Sequence, residues 1–274
     1  MLLSACSPLR TFNAVIPKDR GAAQVARNLA FGTDPRQRLD LYRPTSSNPA
    51  GRLPVIVFLY GGSWSSGEKA GYGFVGRALA ARGFLVAVPD YRLVPEVRYP
   101  AFLEDGAAAV RWVRANVARH GGDPDRIVLA GHSAGAYNAA MLALDPRWLG
   151  ADRAAVKGLV GLAGPYDFLP LDVAATRDAF GQVADLPSTQ PVNQASAGDP
   201  PALLVAGDKD TLVRPRQTSA LAARLKAAGV SAETRLYPGV GHIGVMTALA
   251  KPFRGKAPVL QEVSAFAHRV TAEP

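Results

Sequence analysis

The sequence is short of cysteine, of long apolar runs and of blocks of like charge. One cysteine, Cys6, in 274 residues excludes an internal disulfide. No apolar run approaches the roughly 18 residues that a membrane-crossing helix requires. Basic residues outnumber acidic ones by 31 to 22, a formal net charge of +9. They are scattered, however, with no block of five like charges and no recognisable nucleic-acid module, so nucleic acid is not expected as a partner. The surplus reads as a solvated basic surface that raises the local concentration of anionic substrates. No repeat of fixed period occurs. No ligand set with zinc-type spacing occurs either, and neither a metal nor another cofactor is expected.

What remains is an ordinary globular composition, 48% hydrophobic and 19% charged, in a chain long enough to bury a large core. Residues 1–24 read as an N-terminal arm and 25–274 as one domain. Within the arm, Leu3-Ser4-Ala5-Cys6 matches a bacterial lipobox. Only five residues precede the cysteine, fewer than the apolar stretch of about 7–15 residues in a signal peptide. The expectation is therefore a longer natural precursor, lipid-modified at Cys6 and anchored to a membrane from the periplasm. Without that upstream signal the expected location is the cytoplasm.

Two strands, near Ala26–Phe31 and Gln37–Tyr42, alternate apolar and polar residues like an antiparallel edge. Leu53–Tyr60, Phe84–Val88, Arg126–Ala130, Val156–Leu162 and Ala202–Ala206 are instead short continuous apolar runs, the pattern of strands buried on both faces. Candidate helices lie between them at Gly73–Arg82, Ala101–Arg119, Ala134–Leu144 and Arg216–Ala228. A strand at Glu233–Tyr237 and a helix near Val259–Val270 close the chain. Such alternation implies right-handed crossovers and an α/β fold with a mostly parallel, eight-stranded sheet between helices. Prolines 165, 170, 187, 191 and 200 interrupt it, and residues 165–200 read as a short cap insertion over the carboxyl edge of the sheet.

Gly131-His132-Ser133-Ala134-Gly135 fits G-x-S-x-G, with a buried strand before it and a helix after. In such an elbow the glycines relieve crowding around a strained serine, whose hydroxyl then stands above the sheet edge. A serine needs a base to become nucleophilic, and the chain order should be Ser, acid, His. His132 lies inside the elbow, His120 in a loop and His268 in the last helix; His242 sits in a glycine-rich loop between the last strand and last helix and is the expected base. Asp208 and Asp210 both follow the strand Ala202–Ala206. Asp208 suits a turn-shaping role, while Asp210 lies farther beyond the strand and is the preferred acid. The oxyanion of an acyl-transfer transition state needs amide donors. Ala134 should supply one, and Gly62 and Ser63 the others, with Gly61 shaping the turn. Trp64, Tyr137, Phe168 and Leu171 are the expected pocket lining, for a small-molecule ester.

These motifs together resemble the α/β-hydrolase superfamily. Within it they are similar to the hormone-sensitive-lipase-like and the bacterial acetylxylan/feruloyl-esterase-like (BD-FAE-like) carboxylesterases. The resemblance spans about residues 25–270 and includes Asp90-Tyr91-Arg92-Leu93, Tyr99-Pro100-Ala101, His120-Gly121-Gly122-Asp123-Pro124 and Gly164-Pro165-Tyr166-Asp167. It implies a Ser133–His242–Asp210 triad hydrolysing short-chain carboxylic esters through an acyl-enzyme, and it carries most of the choice of Asp210. One departure is Tyr60, which stands where the family often has histidine before the glycine pair; its hydroxyl is expected to serve as the brace. The rival readings are an arylformamidase or small amidase on the same fold, and a non-catalytic binding domain.

Overall fold

The structure is a computed structural model. It describes residues 8–46 and 51–272, so Cys6 and its motif lie outside the described residues. Eight strands form one sheet: β1 Ala22–Ala30, β2 Arg38–Pro44, β3 Leu53–Leu59, β4 Leu85–Pro89, β5 Gly122–His132, β6 Val156–Leu162, β7 Ala202–Gly207 and β8 Ala232–Tyr237. Their order across the sheet is β1-β2-β4-β3-β5-β6-β7-β8. β1 and β2 pair antiparallel with their neighbours; every pairing from β4 through β8 is parallel. The helices are α1 Pro8–Val15, α2 Gly73–Ala80, α3 Ala101–Asn116, α4 Ala134–Leu144, α5 Pro146–Leu149, α6 Ala174–Phe180, α7 Arg216–Ala227, α8 His242–Thr247 and α9 Val259–Val270.

The central strands follow the pattern that their sequences carry. Val55–Leu59 of β3, all of β4 and all of β7 are buried, as parallel strands covered on both faces must be. β8 is buried only at its ends, Ala232 and Tyr237, and is partly or fully exposed between them, as befits an edge. β1, the opposite edge, is interrupted by register shifts and by Asn28 at φ 56°. Such bulges twist an edge away from further pairing.

Register places the functional loops side by side. Leu59 pairs with Gly131, His132 with Leu162, and Leu162 with Val205. The loops after β3, β5, β7 and β8 therefore all leave the same carboxyl edge, where open α/β sheets bind ligands.

Three stretches differ from the sequence reading. The N-terminal arm contains α1, because Phe12 packs edge-on to Phe74 at 5.3 Å and stacks with Phe253 at 6.0 Å. Asn13 fixes it further, donating to the Ala70 carbonyl at 2.7 Å and accepting from the Phe74 amide at 2.9 Å. Between Pro165 and Pro200, α6 forms despite the prolines, its Phe180 fully buried against Trp64, Tyr137 and Phe168 at 5.0, 5.3 and 5.3 Å. His242 opens the short helix α8 instead of standing in an open loop. Tertiary contacts hold α1 and α6, each too short to be stable as an isolated helix.

Candidate active site

Ser133 occupies the turn between β5 and α4 with φ 54° and ψ −125°, a conformation that non-glycine residues rarely adopt. Its neighbours show why glycines flank it. A Cβ on Gly131 would lie 2.2 Å from the Gly135 carbonyl oxygen, and one on Gly135 would lie 2.1 Å from the Leu59 oxygen. The elbow is thus wedged between its own helix and β3, and it closes only without side chains at those two positions. The Ser133 amide is held by the Leu162 carbonyl at 2.9 Å.

Asp210 and His242 meet across 32 residues, with His242 Nδ1 donating to Asp210 Oδ2 at 2.8 Å. The carboxylate is buried and its other oxygen, Oδ1, accepts from the amides of Leu212 at 3.0 Å and Val213 at 2.8 Å. Three donors therefore fix one carboxylate. The ring orientation it imposes leaves His242 Nε2 as the free nitrogen. Asp208 instead accepts from the Gly239 amide at 2.7 Å, bridging the loops after β7 and β8. Ser133 and His242 line the same two cavities. No hydrogen bond within 3.5 Å joins Ser133 Oγ to His242 Nε2 among the described residues. Such contacts commonly tighten only with substrate present.

The loop after β3 is strained and firmly held. Gly62, Ser63 and Trp64 have φ values of 136°, 53° and 58°. The Gly62 carbonyl accepts from the amides of Ser65 and Ser66, and Trp64 Nε1 donates to Asn138 Oδ1 at 3.1 Å. The Gly61 amide is occupied by the Tyr72 hydroxyl at 3.2 Å. Among the described residues the amides of Gly62, Ser63 and Ala134 have no protein acceptor. Tyr60 lies beneath, fully buried between the rings of Tyr72 and Tyr91 at 5.4 and 4.7 Å. Its hydroxyl accepts from Arg36, which also donates to the carbonyls of Gly67 and Tyr91. Tyr60 thereby braces the loop through a guanidinium, the task expected of its hydroxyl.

His132 carries a part that the sequence did not reveal. Burial, and then the neighbouring His242, push its pKa down to about 3, so the ring is neutral and has a single N–H. Nε2 faces the His242 carbonyl at 3.2 Å and must carry that hydrogen. Nδ1 is buried without a partner. The residue before the serine thus ties the main chain of His242 to the elbow.

Two cavities meet at Ser133 and His242. The first, of about 540 Å³, lies under the 165–200 insertion and is lined by Trp64, Phe168 and Pro170, with Arg214 and Arg216 on its outer wall. The second, of about 560 Å³, runs between the glycine loop and α1, past Leu9, Phe12, Tyr72, Ile243 and Met246. Of the four lining residues expected, Trp64 and Phe168 line the first cavity. Tyr137 lies buried beneath it, edge-on to Trp64 at 5.3 Å, its hydroxyl donating to the Thr189 carbonyl. Leu171 packs against the core. Among the described residues, no group of three or more His, Cys, Asp or Glu is placed to hold a metal.

A mostly parallel eight-stranded sheet flanked by helices, with a serine elbow at its carboxyl edge, defines the α/β-hydrolase fold. More narrowly, the chain belongs to the BD-FAE family, whose model matches residues 39–225. It is 31% identical over 273 residues to a probable isoprenylcysteine alpha-carbonyl methylesterase of Oryza sativa subsp. japonica, covering 90% of this chain and 63% of that protein. It is 35% identical over 232 residues to carboxylesterase NlhH of Mycobacterium tuberculosis, covering 75% and 70%. The thermostable carboxylesterase EstE1, cloned from a metagenomic library, superposes with a TM-score of 0.81 at 23% identity, covering 97% of this chain and 94% of that one. The chain spans 59% to 63% of the length of the first three curated relatives.

Proposed function

We propose that this protein is a serine carboxylesterase that cleaves short-chain carboxylic esters. The observation that carries the reading is the His242–Asp210 hydrogen bond at 2.8 Å, formed beside a serine held at positive φ in the same cavity. Membership of the BD-FAE family and the esterase names of its relatives support it. In the reaction, His242 Nε2 takes the Ser133 proton as Oγ attacks the carbonyl carbon. The amides of Ala134, Gly62 and Ser63 receive the developing oxyanion. His242 then protonates the leaving alcohol, and water repeats the sequence to release the acid. Asp210 holds the imidazole in the required tautomer and stabilises its cation.

Hydrolysis of a short-chain ester series, from acetate to octanoate, tests the reading together with fluorophosphonate labelling. Wild type is expected to label, and Ser133→Ala is expected not to label and to lose about 10⁴- to 10⁶-fold in kcat. Equal labelling of both proteins, or preference for N-formylkynurenine over every ester, would overturn it. Lipidation of Cys6 is a separate proposal resting on Leu3-Ser4-Ala5-Cys6. Fatty-acid labelling of the naturally encoded precursor, lost in Cys6→Ser, is the expected result.

A further inference from the structure

The two cavities that meet at Ser133 differ in charge. The second combines the exposed side chains of Leu212 and Ile243, at 74% and 55%, with Leu9, Phe12 and Met246. Among the described residues its one acidic lining residue is Glu68, whose ion pair with Arg10 is long, at 3.7 Å. This arm favours an uncharged apolar group and disfavours an anion. The first arm also has apolar side chains in its lining, Trp64, Phe168 and Val213, but its outer wall carries Arg214 and Arg216. Both arginines are exposed, and neither has an ion-pair or side-chain hydrogen-bond partner among the described residues. Arg177 does not line this arm; its guanidinium is turned to the backbone carbonyls of Leu171 and Asp172. Among the described residues the lining holds one carboxylate, Asp172, which forms no ion pair within 4.0 Å with Arg214 or Arg216.

Guanidinium groups left unpaired beside an apolar floor match a carboxylate or phosphate borne on an apolar group. Building on the esterase reading, we infer that the arm beneath the insertion binds an anionic half of the ester, while the arm along α1 binds a neutral apolar half. The protein's preferred substrates are therefore monoanionic esters, and Arg214 and Arg216 determine that preference. Neither residue touches the reacting atoms. Their effect is on capture and orientation of the charged group, and it weakens as salt screens it.

Two matched pairs of probes decide which half is charged. On the acyl side, p-nitrophenyl hydrogen adipate is compared with p-nitrophenyl hexanoate. On the alcohol side, m-carboxyphenyl butyrate is compared with its methyl ester. For one pair, wild type is expected to favour the anion by about three- to tenfold in kcat/KM at low salt, the size two exposed ion pairs support. That ratio should fall toward one in the Arg214→Gln/Arg216→Gln double variant and in 0.5 M NaCl. No anionic preference in either pair, or a preference that survives the double substitution, overturns the inference. Absence of Ser133-dependent turnover of all four esters would instead bring down the esterase reading, and the inference with it.

Discussion

At Asp210, one carboxylate accepts three hydrogen bonds while fully shielded from water. Asp210→Asn keeps the size but replaces an acceptor with an amide that can present a donor to His242, favouring the wrong tautomer. The expected result is a fall in kcat of about 10³- to 10⁴-fold with KM little changed, measured on an aryl acetate. His132 makes a prediction of a different kind. Its pKa in the fold is about 3, against an ordinary value near 6.5. Between those values the unfolded chain binds a proton that the fold does not, so stability rises with pH across the window and is lost as pH falls below about 6.5. From pH 7 to pH 5 the loss from this residue is about 2 kcal/mol. His132→Gln should be less stable at pH 7, because it vacates a packed ring, yet less acid-sensitive over that interval. Denaturant titrations of both proteins at the two pH values give the comparison; parallel losses would assign the acid sensitivity elsewhere.

At the scale of elements, the elbow depends on α4 and β5 pressing against β3 with nothing between them. Gly135→Ala places a methyl group 2.1 Å from the Leu59 oxygen, a backbone atom that cannot yield without disturbing the sheet. The expected cost exceeds about 3 kcal/mol in urea unfolding, and any folded fraction should fail to take a fluorophosphonate. The elements that the sequence announced were those with strong local rules. Residues 134–144 and 259–270 form helices over the residues their composition indicated. The buried strands likewise declared themselves by continuous apolar runs. Less legible were α1, α6 and α8, of which the first two are pinned by aromatic contacts to distant residues such as Phe253 and Tyr137. A helix of six to eight residues has too few backbone bonds to be stable by itself, so its sequence need not look helical.

For the molecule as a whole, burial is concentrated in the middle of the sheet, where β3, β4, β5 and β7 are covered by helices on both faces. Hydrogen exchange is expected to be slowest at Val55–Leu59 and Ile127–Ala130, and faster in β1, whose ladder is broken by register shifts. Equal protection of β1 and β3 would contradict that gradient. The same arrangement gives a rigid platform, with strained loops confined to its carboxyl edge.

Chain order and local sterics by themselves determined much here: a serine between two glycines after a buried strand, an acid and a histidine after later strands, and a mostly parallel sheet beneath them. They did so because turns and periodicities are short-range, and a few neighbouring residues suffice to specify them. Only the tertiary structure decided that Asp210 and not Asp208 reaches His242, that His132 tethers His242, that Tyr60 braces the glycine loop through Arg36, and that Tyr137 and Leu171 lie away from the cavity. Each of these depends on distances between residues far apart in the chain, fixed only when strand order and register bring their loops to one edge.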